Sequence, residues 1–528
     1  MIKDLVFFIL ERYSTGSLCT GVAAVTISTL VLWGIIYPLY FHPLSKVPGP
    51  TICALTSYYI LYKTWNEERN RYVQELHEKY GSVVRIGPNE VDINDVTYLK
   101  EIYIGDYDKT SFYSQFVNYG QPNTFSITTK KEHTQSRKVS HKFYSKSNIC
   151  SHDIMPKIEK VMSDTLSAFD RYNGKSINGF VLFCDMAMDA VTSFSFGINN
   201  YKSLLSDPFG NGSIIVNDFG LQSSSWFWVT HMPSFYDLVV SKKVVEASKR
   251  CYDWIENQFE YSMGRLSNDE EKQEKTLLSV YFDSVPSSTE AKQKSQVFDI
   301  KKTKSEFFDH ITARHVTTRT TLSYLFYELA KYPEMQEKLR SEILSKINNN
   351  KSTAPSNYVP FKYSLVDNED LLPYMNAVIL ETFRVHAAIP GEEPRVVPAK
   401  GMIFRGNSTV PACKIPAGTT VVMQPWSLHR VSTLFPDPDR FDPERWLDVS
   451  PAQLKQMKGN LMHFGAGARM CIGMNLATTE IKIIVSSLMA RYRIELVDNF
   501  DYDYDGAMLD IYTTLPRSEK MMLRFTPL

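Results

Sequence analysis

The chain has 528 residues, 43% of them hydrophobic and 22% charged, so it can bury a large core, and length alone would allow two to four domains. Lysine plus arginine and aspartate plus glutamate both number 58, so no global charge excess draws the molecule to nucleic acid, and no nucleic-acid partner is expected. The seven cysteines, Cys19, Cys53, Cys150, Cys184, Cys251, Cys413 and Cys471, are odd in number, far apart and without a C-x-x-C pair, which argues against a disulfide framework or a zinc site and fits a reducing compartment.

No Asp, Glu, Lys or Arg occurs between Arg12 and Lys46. The apolar run Leu18 to Phe41 is long enough to cross a hydrocarbon core of about 30 Å and predicts a single-pass transmembrane helix at about 18–41. A cleaved signal peptide is the rival reading, but the run is long for one and no small-residue cleavage site follows it. Lys3 and Arg12 before the span are offset by Asp4 and Glu11, while Lys46, Lys63, Arg69 and Arg71 follow it, and the balance leans towards a body in the cytoplasm. FHPLSKVPGP comes next, where Pro43, Pro48 and Pro50 predict a stiff non-helical connector. The expected division is an anchor over residues 1–45 and one catalytic body over 46–528.

Helical periodicity dominates that body, as in NEERNRYVQELHEKYG ending at Gly81 and in the long run Thr321 to Ile347. SVVRI and EVDIN alternate like the arms of a hairpin around Gly87 to Asn89, and VVMQP and MMLRF read as further strands. Ser284 to Ser305 and Asn348 to Asn357 are polar and predict surface loops. The expected fold is mainly α with small β-sheets, in one large domain.

Chemistry concentrates near the C-terminus in HFGAGARMCIG. Cys471 lies between glycines, two residues after Arg469, and the following IGMNLATTEIKIIVSSLMARY predicts a helix whose N-terminus would favour an anionic sulfur. Glycines 465, 467 and 473 would let backbone amides approach that sulfur. One thiolate with no His or Cys cluster suits a metal already held by a macrocycle better than zinc, although a lone cysteine is also a common buried apolar residue.

Phe464 to Gly473 matches F-x-x-G-x-R-x-C-x-G at every specified position. In this the chain resembles the cytochromes P-450, the haem-thiolate monooxygenases, from about residue 40 to the end. The resemblance implies haem b, with Cys471 as axial ligand and Phe464 beside it; the electron-donating role of the cysteinate is a property of the family carried over with the resemblance. Glu381 and Arg384 in E-T-F-R share a helix face at i, i+3, and Arg445 in FDPERW is similar to the third member of the family's buried Glu-Arg-Arg knot, implying a structural role. H-T-Q-S-R is similar to the family's W-x-x-x-R helix, with His133 in place of Trp. It makes His133 and Arg137, together with Arg395 and Arg469, the candidates to hold the haem propionates, with a surface charge as the plainer reading for His133 and Arg395.

The pattern is broken where the family's oxygen-side helix usually carries [A/G]-G-x-[D/E]-T-[T/S]. Here Ala313, Arg314, His315, Val316, Thr317 and Thr318 stand in order: the threonine is kept as the catalytic candidate, the glycine is Arg314 and the acid is Val316. No Asp or Glu occurs between Asp309 and Glu328, so no small shift of register restores the acid. Asp309 shares a face with Ala313 and Thr317 but lies two turns, roughly 11 Å, from the threonine, which leaves a relay through water, Arg314 or His315. The other reading has Arg314 or His315 turned away into a packing or surface contact.

The residues after Cys471 are too few for a flavin domain, so electrons are expected from a separate NADPH-cytochrome reductase. The anchor and hinge resemble those of microsomal members, which implies the endoplasmic reticulum membrane with the body facing the cytosol. Phe116, Phe125, Trp226, Ala313 and Leu515 are candidates to line an apolar pocket for a lipophilic small-molecule substrate, the aromatic ones being equally readable as core. FHPLSKVPGP and RIGPNEVDIND resemble fungal secondary-metabolite enzymes, and a terpenoid is the expected skeleton. Two alternatives stay open at this point: a haem-thiolate isomerase or peroxygenase that needs no acid-threonine relay, and a non-catalytic membrane haem-binding protein.

Overall fold

The computed structural model describes residues 15–105, 107–201, 203–206, 211–267, 274–284, 299–349, 370–406 and 410–528. Lys3, Asp4, Glu11 and Arg12, and most of the two polar stretches expected as loops, lie outside them. The apolar N-terminus is helical. Helix α1 (Thr15–Val31) continues into a π-helical segment, Leu32–Phe41, that contains Pro38. Over Thr20–Phe41 the mean hydropathy is 1.9 and no residue is buried, which makes this a candidate membrane span.

The connector is not a free spacer. The Arg85 backbone N–H donates to the Pro48 carbonyl (2.7 Å), its Nη1 donates to the Pro38 carbonyl (2.8 Å), and Leu44 and Val47 are buried. A Cβ on Gly49 would stand 2.4 Å from the Arg85 carbonyl oxygen, so glycine is what allows the chain to lie on this strand.

Strands β1 (Val83–Gly87) and β2 (Glu90–Ile93) form the expected antiparallel hairpin. They enter a five-stranded sheet of order β1-β2-β8-β5-β3 with β3 (Asp108–Lys109), β5 (Arg395–Val396) and β8 (Thr420–Val422). A second sheet joins β4 (Ser176–Asn178), β10 (Met522–Pro527) and β9 (Tyr492–Leu496), and β6 (Met402–Phe404) pairs with β7 (Cys413–Ile415). The long-range pairing of β3 with β5 matters most for function.

Helices make up most of the rest, and five of them position the site: α2 (Lys130–Ser140), α3 (Gly179–Phe196), α4 (Ile300–Lys331), α5 (Pro373–Val385) and α6 (Met474–Arg491). Helix α3 is apolar enough to cross a membrane, yet it is 94% buried, packing against α4 with Phe183 stacked on Phe326 at 5.3 Å. It is the core helix of the body. Two expectations need correction. Residues 300–305 are not loop, because Asp299 caps α4 by accepting from the Lys302 N–H (2.9 Å) and Phe307 and Phe308 are buried in its next turn. The predicted run from Thr321 to Ile347 is two helices, since Pro333 has no N–H to continue α4 and starts the helix Pro333–Asn349 instead.

Candidate active site

Cys471 sits one turn before α6, as its sequence setting predicts. Its N–H donates to the Phe464 carbonyl (2.8 Å), closing the loop, and Phe464 packs edge-on against Phe383 of α5 at 5.2 Å. Burial pushes the thiol up from its usual range, while the Gly473 and Met474 amides and the guanidiniums of Arg137 and Arg314 act the other way and favour the thiolate. The glycines divide the work differently from expectation. Gly467 has φ +70, and a Cβ there would meet the Tyr103 carbonyl at 2.3 Å, so it serves the approach of the loop to residues 100–104 rather than access to the sulfur.

Cys471 and Asp309 are enclosed by protein yet keep open surface, and Ala313, one turn on from Asp309, is exposed as well; all three line internal space. Beside it lies a buried cluster of cations. In the antiparallel pairing of β3 with β5, Lys109 stands directly opposite Arg395, an arrangement of like charges that is unfavourable by itself. Both side chains are buried. Lys109 donates to the Phe125 carbonyl (2.6 Å), Arg395 to the Tyr113 hydroxyl (2.9 Å), and Arg469 to the carbonyls of Ile127 (2.7 Å) and Thr128. Burial, then Arg395 and Arg469, hold Lys109 well below the usual ammonium range. Burial, then Arg469, Lys109, Arg137 and Arg395, push His133 down to about 3, so this histidine is neutral and buried rather than a surface charge. Arg395 is likewise no surface charge: burial opposes its ionisation, but Tyr113, Tyr103 and Glu393 raise it overall.

Such a set, buried cations of which Arg395 and Arg469 depress Lys109, with a soft sulfur donor nearby, fits a group carrying a metal at its centre and two carboxylates at its edge. Lys109 was not legible as part of it. It belongs to a strand of two residues with no motif around it, and the pairing with Arg395 comes from a segment almost three hundred residues away.

Glu381, Arg384 and Arg445 meet below. Arg384 donates to both carboxylate oxygens of Glu381 (2.9 and 2.7 Å), Arg445 donates to Oε1 (2.9 Å), and the Trp446 indole (2.9 Å) and Asp442 N–H (2.9 Å) complete the shell. The remaining Arg384 N–H groups reach the carbonyls of His429 (3.1 Å), Pro438 (2.5 Å) and Arg440 (3.0 Å).

On α4 the altered motif resolves into three directions. Thr317 Oγ1 donates to the Ala313 carbonyl (3.0 Å) at the edge of the internal space. His315 turns away: it is fully buried, its Nδ1 contacts the Ile311 carbonyl (3.0 Å), its ring lies 4.9 Å from Phe219, and burial first, then Arg319, pushes it down to about 3. Arg314 is not at the surface: it is buried, ion-paired to Glu480 of α6 in a contact between the two helices, and within electrostatic reach of Cys471 and Tyr144. Asp309 is raised to about 7 by burial and by Glu306, with Lys109 opposing.

The pocket candidates separate. Phe116 and Phe125 touch (5.2 Å) within a ring cluster that also holds Phe112, Tyr113 and Tyr512. Trp226 joins it through His231, which lies 5.6 Å from both Trp226 and Phe112. Leu515 is buried in the main apolar core, where the neighbouring Thr514 carbonyl accepts from Thr320 of α4 (3.1 Å). Phe112 and Tyr512 carried no sequence signal beyond being aromatic.

A sulfur donor beside a cradle for two carboxylates, in a mostly helical body, is what a haem-thiolate protein needs. The chain belongs to the cytochrome P450 family, whose model matches residues 47–506. It is similar to cytochrome P450 monooxygenase orf2 of Aspergillus niger, 29% identical over 512 residues covering 94% of this chain and 96% of the relative. Cytochrome P450 monooxygenase TRI4 of Fusarium sporotrichioides is 27% identical over 501 residues, covering 92% and 90%. Cytochrome P450 monooxygenase cloA of Claviceps purpurea is 29% identical over 511 residues, covering 92% and 91%. The protein is thus a haem-dependent monooxygenase of the fungal secondary-metabolite type, with electrons drawn from NAD(P)H through a reductase.

Proposed function

We propose that Cys471 ligates the haem iron, that Arg137, Arg395, Arg469, Lys109 and neutral His133 hold the two propionates, and that Phe464 packs at the sulfur side. Glu381, Arg384 and Arg445 form a structural knot, and Thr317 is the catalytic residue of the oxygen side. Bound haem supplies the iron at which dioxygen is reduced and split. The chain's own part is to keep negative charge on the sulfur through the Gly473 and Met474 amides and Arg137, and to offer the Thr317 hydroxyl, now bonded to Ala313, as a proton relay that can turn towards the open side. The observation that carries this reading is the setting of Cys471. The reduced protein should give the carbon monoxide difference band of a thiolate-ligated haem, and Cys471→Ala should abolish it; an unchanged band would overturn the assignment. Thr317→Ala should raise the share of NADPH electrons lost as peroxide roughly tenfold or more.

The finer reading is a single-pass protein of the endoplasmic reticulum membrane, residues 1–45 as anchor and 46–528 as a cytosolic catalytic body, oxidising a lipophilic substrate, with a terpenoid as the favoured skeleton. The exposed apolar Thr20–Phe41 helix supports the anchor, and the ring cluster around Phe116, Phe125 and Trp226 with Ala313 supports an apolar substrate. Exposed Lys131, Lys138 and Lys142, on and just after the helix that turns Arg137 inward, support docking of an acidic NADPH-cytochrome reductase on the cysteine side. Cell fractionation tests the location. Metabolite comparison with and without the chain tests the substrate class, and no terpenoid change would overturn it.

A further inference from the structure

Asp309 opens on the same internal space as Ala313, one turn further along α4, and precedes Thr317 by two turns. The side chains through which it could serve that threonine are engaged elsewhere, Arg314 with Glu480 and His315 against Phe219. Neighbouring acids have donors. Glu306 Oε1 accepts from the Thr124 N–H and hydroxyl and from the Ser136 hydroxyl, each at 2.9 Å, and Glu393 lies 3.6 Å from Arg395. Asp309 has none among the described residues: burial and the Glu306 and Lys109 charges act on it, but no hydrogen bond does. Lys109 itself donates to the Phe125 carbonyl at 2.6 Å, with its ammonium 4.2 Å from the Phe125 ring. Rings stand close by, because Ser305 donates to the Gln121 carbonyl (2.8 Å) and Glu306 holds Thr124, which docks the segment carrying Phe116 and Phe125 against the turn of α4 that precedes Asp309. A carboxyl without a donor at the edge of an aromatic-walled space is a mismatch that a bound molecule corrects. A hydroxyl would bring one donor. A protonated amine brings a donor together with positive charge, and ring faces attract its alkyl shell as well. Burial and Glu306 raise Asp309 to about 7, and a cation beside it returns it to the ionised form.

We propose that Asp309 anchors the substrate and selects molecules that carry a basic nitrogen, held as an ammonium against this carboxylate with the apolar remainder among Phe116 and Phe125. The helix then sets where oxidation falls. The oxygen side lies between Ala313 and Thr317, so the carbon attacked is roughly 5–11 Å from the nitrogen, and the carbons bonded to nitrogen are held away from it. The proposal rests on the monooxygenase reading, which the carbon monoxide spectrum of the unmodified protein checks separately.

The test uses the full chain, haem-loaded, and two probes: phenylbutyl-dimethylamine, which is charged at neutral pH, and its carbon isostere with C–H in place of the nitrogen. Binding is read by calorimetry and by the Soret band in the unmodified protein, Asp309→Asn and Asp309→Glu. The unmodified protein should bind the amine about tenfold or more tightly than the isostere. Asp309→Asn should remove that preference while isostere affinity, haem content and melting temperature hold, and Asp309→Glu should keep most of it. With reductase and NADPH the amine should be hydroxylated on its phenyl side, and Asp309→Asn should shift the products towards formaldehyde, released after oxidation of an N-methyl carbon. An amine that the unmodified protein binds no better than the isostere, or a preference that survives Asp309→Asn, would overturn the proposal. So would a red-shifted Soret band, which marks nitrogen bound to iron instead of to Asp309, or formaldehyde as the main product of the unmodified protein. Equal losses of both probes in Asp309→Asn would make this residue wall packing and refute the anchor.

Discussion

The knot at Glu381 and the cradle around Lys109 are both buried clusters of charge, built on opposite terms. In the knot the carboxylate has five donors, and the guanidiniums that do not face it end on backbone carbonyls. In the cradle, cation stands opposite cation across β3 and β5: Arg395 and Arg469 lower the affinity of Lys109 for a proton, while Arg395 itself is ion-paired with Glu393 at 3.6 Å. Burying an ion costs several kcal/mol unless it is paired and hydrogen-bonded. The knot meets that condition with its own residues and stabilises the fold; the cradle gathers Lys109, Arg395 and Arg469 around one ion-paired carboxylate, Glu393, as the proposed propionate site requires. The state of satisfaction of a buried charge separates scaffold from site here, where burial alone would not.

The comparison breaks first at the knot. Glu381→Gln should cost about 3–5 kcal/mol, since it leaves Arg384 and Arg445 buried against a neutral group, and denaturant unfolding of whatever folds should show it. A stable variant would mean that the guanidiniums are satisfied by the carbonyls alone. In the cradle the sign should depend on haem. Lys109→Met removes one of two facing cations, so the haem-free protein should melt at the same temperature or higher, while haem affinity falls by about 2 kcal/mol, seen as faster transfer to an apo-globin acceptor. A loss of stability in the haem-free protein would contradict the reading of Lys109 as uncompensated charge. Trp446→Phe sharpens the knot by deleting one of its five donors, and should cost roughly 1–2 kcal/mol with haem affinity untouched.

The last expected effect, small per unit, concerns pH. His315, buried against Phe219, titrates near 3 in the fold against 6.5 when unperturbed. Below about 6.5 the unfolded chain binds a proton that the folded chain does not, so this contribution is complete above that pH and is lost as pH falls towards 3, at about 1.4 kcal/mol per unit. His133 and His463, pushed down to about 3, and His310, pushed down to about 4, act in the same direction. His315→Phe should therefore flatten the fall of melting temperature between neutral and acidic pH by one proton's worth. An unchanged slope would place that proton elsewhere.

The sequence by itself determined whatever depends on neighbours along the chain: the apolar helix before residue 41, the loop of Phe464 to Gly473 ahead of α6, the shared face of Glu381 and Arg384, and the departure from pattern at Arg314 and Val316. These are contiguous or follow the helical period, so the covalent chain already holds them together. Only the tertiary structure decided that Lys109 faces Arg395, that Arg314 pairs with Glu480 while His315 turns to Phe219, and that Phe112 and Tyr512 join Phe116. The physical reason is that a charge or a ring takes its partner from whatever segment the closed fold brings within a few ångströms. A β-strand of two residues or a lone glutamate on an amphipathic helix carries no local trace of that partner.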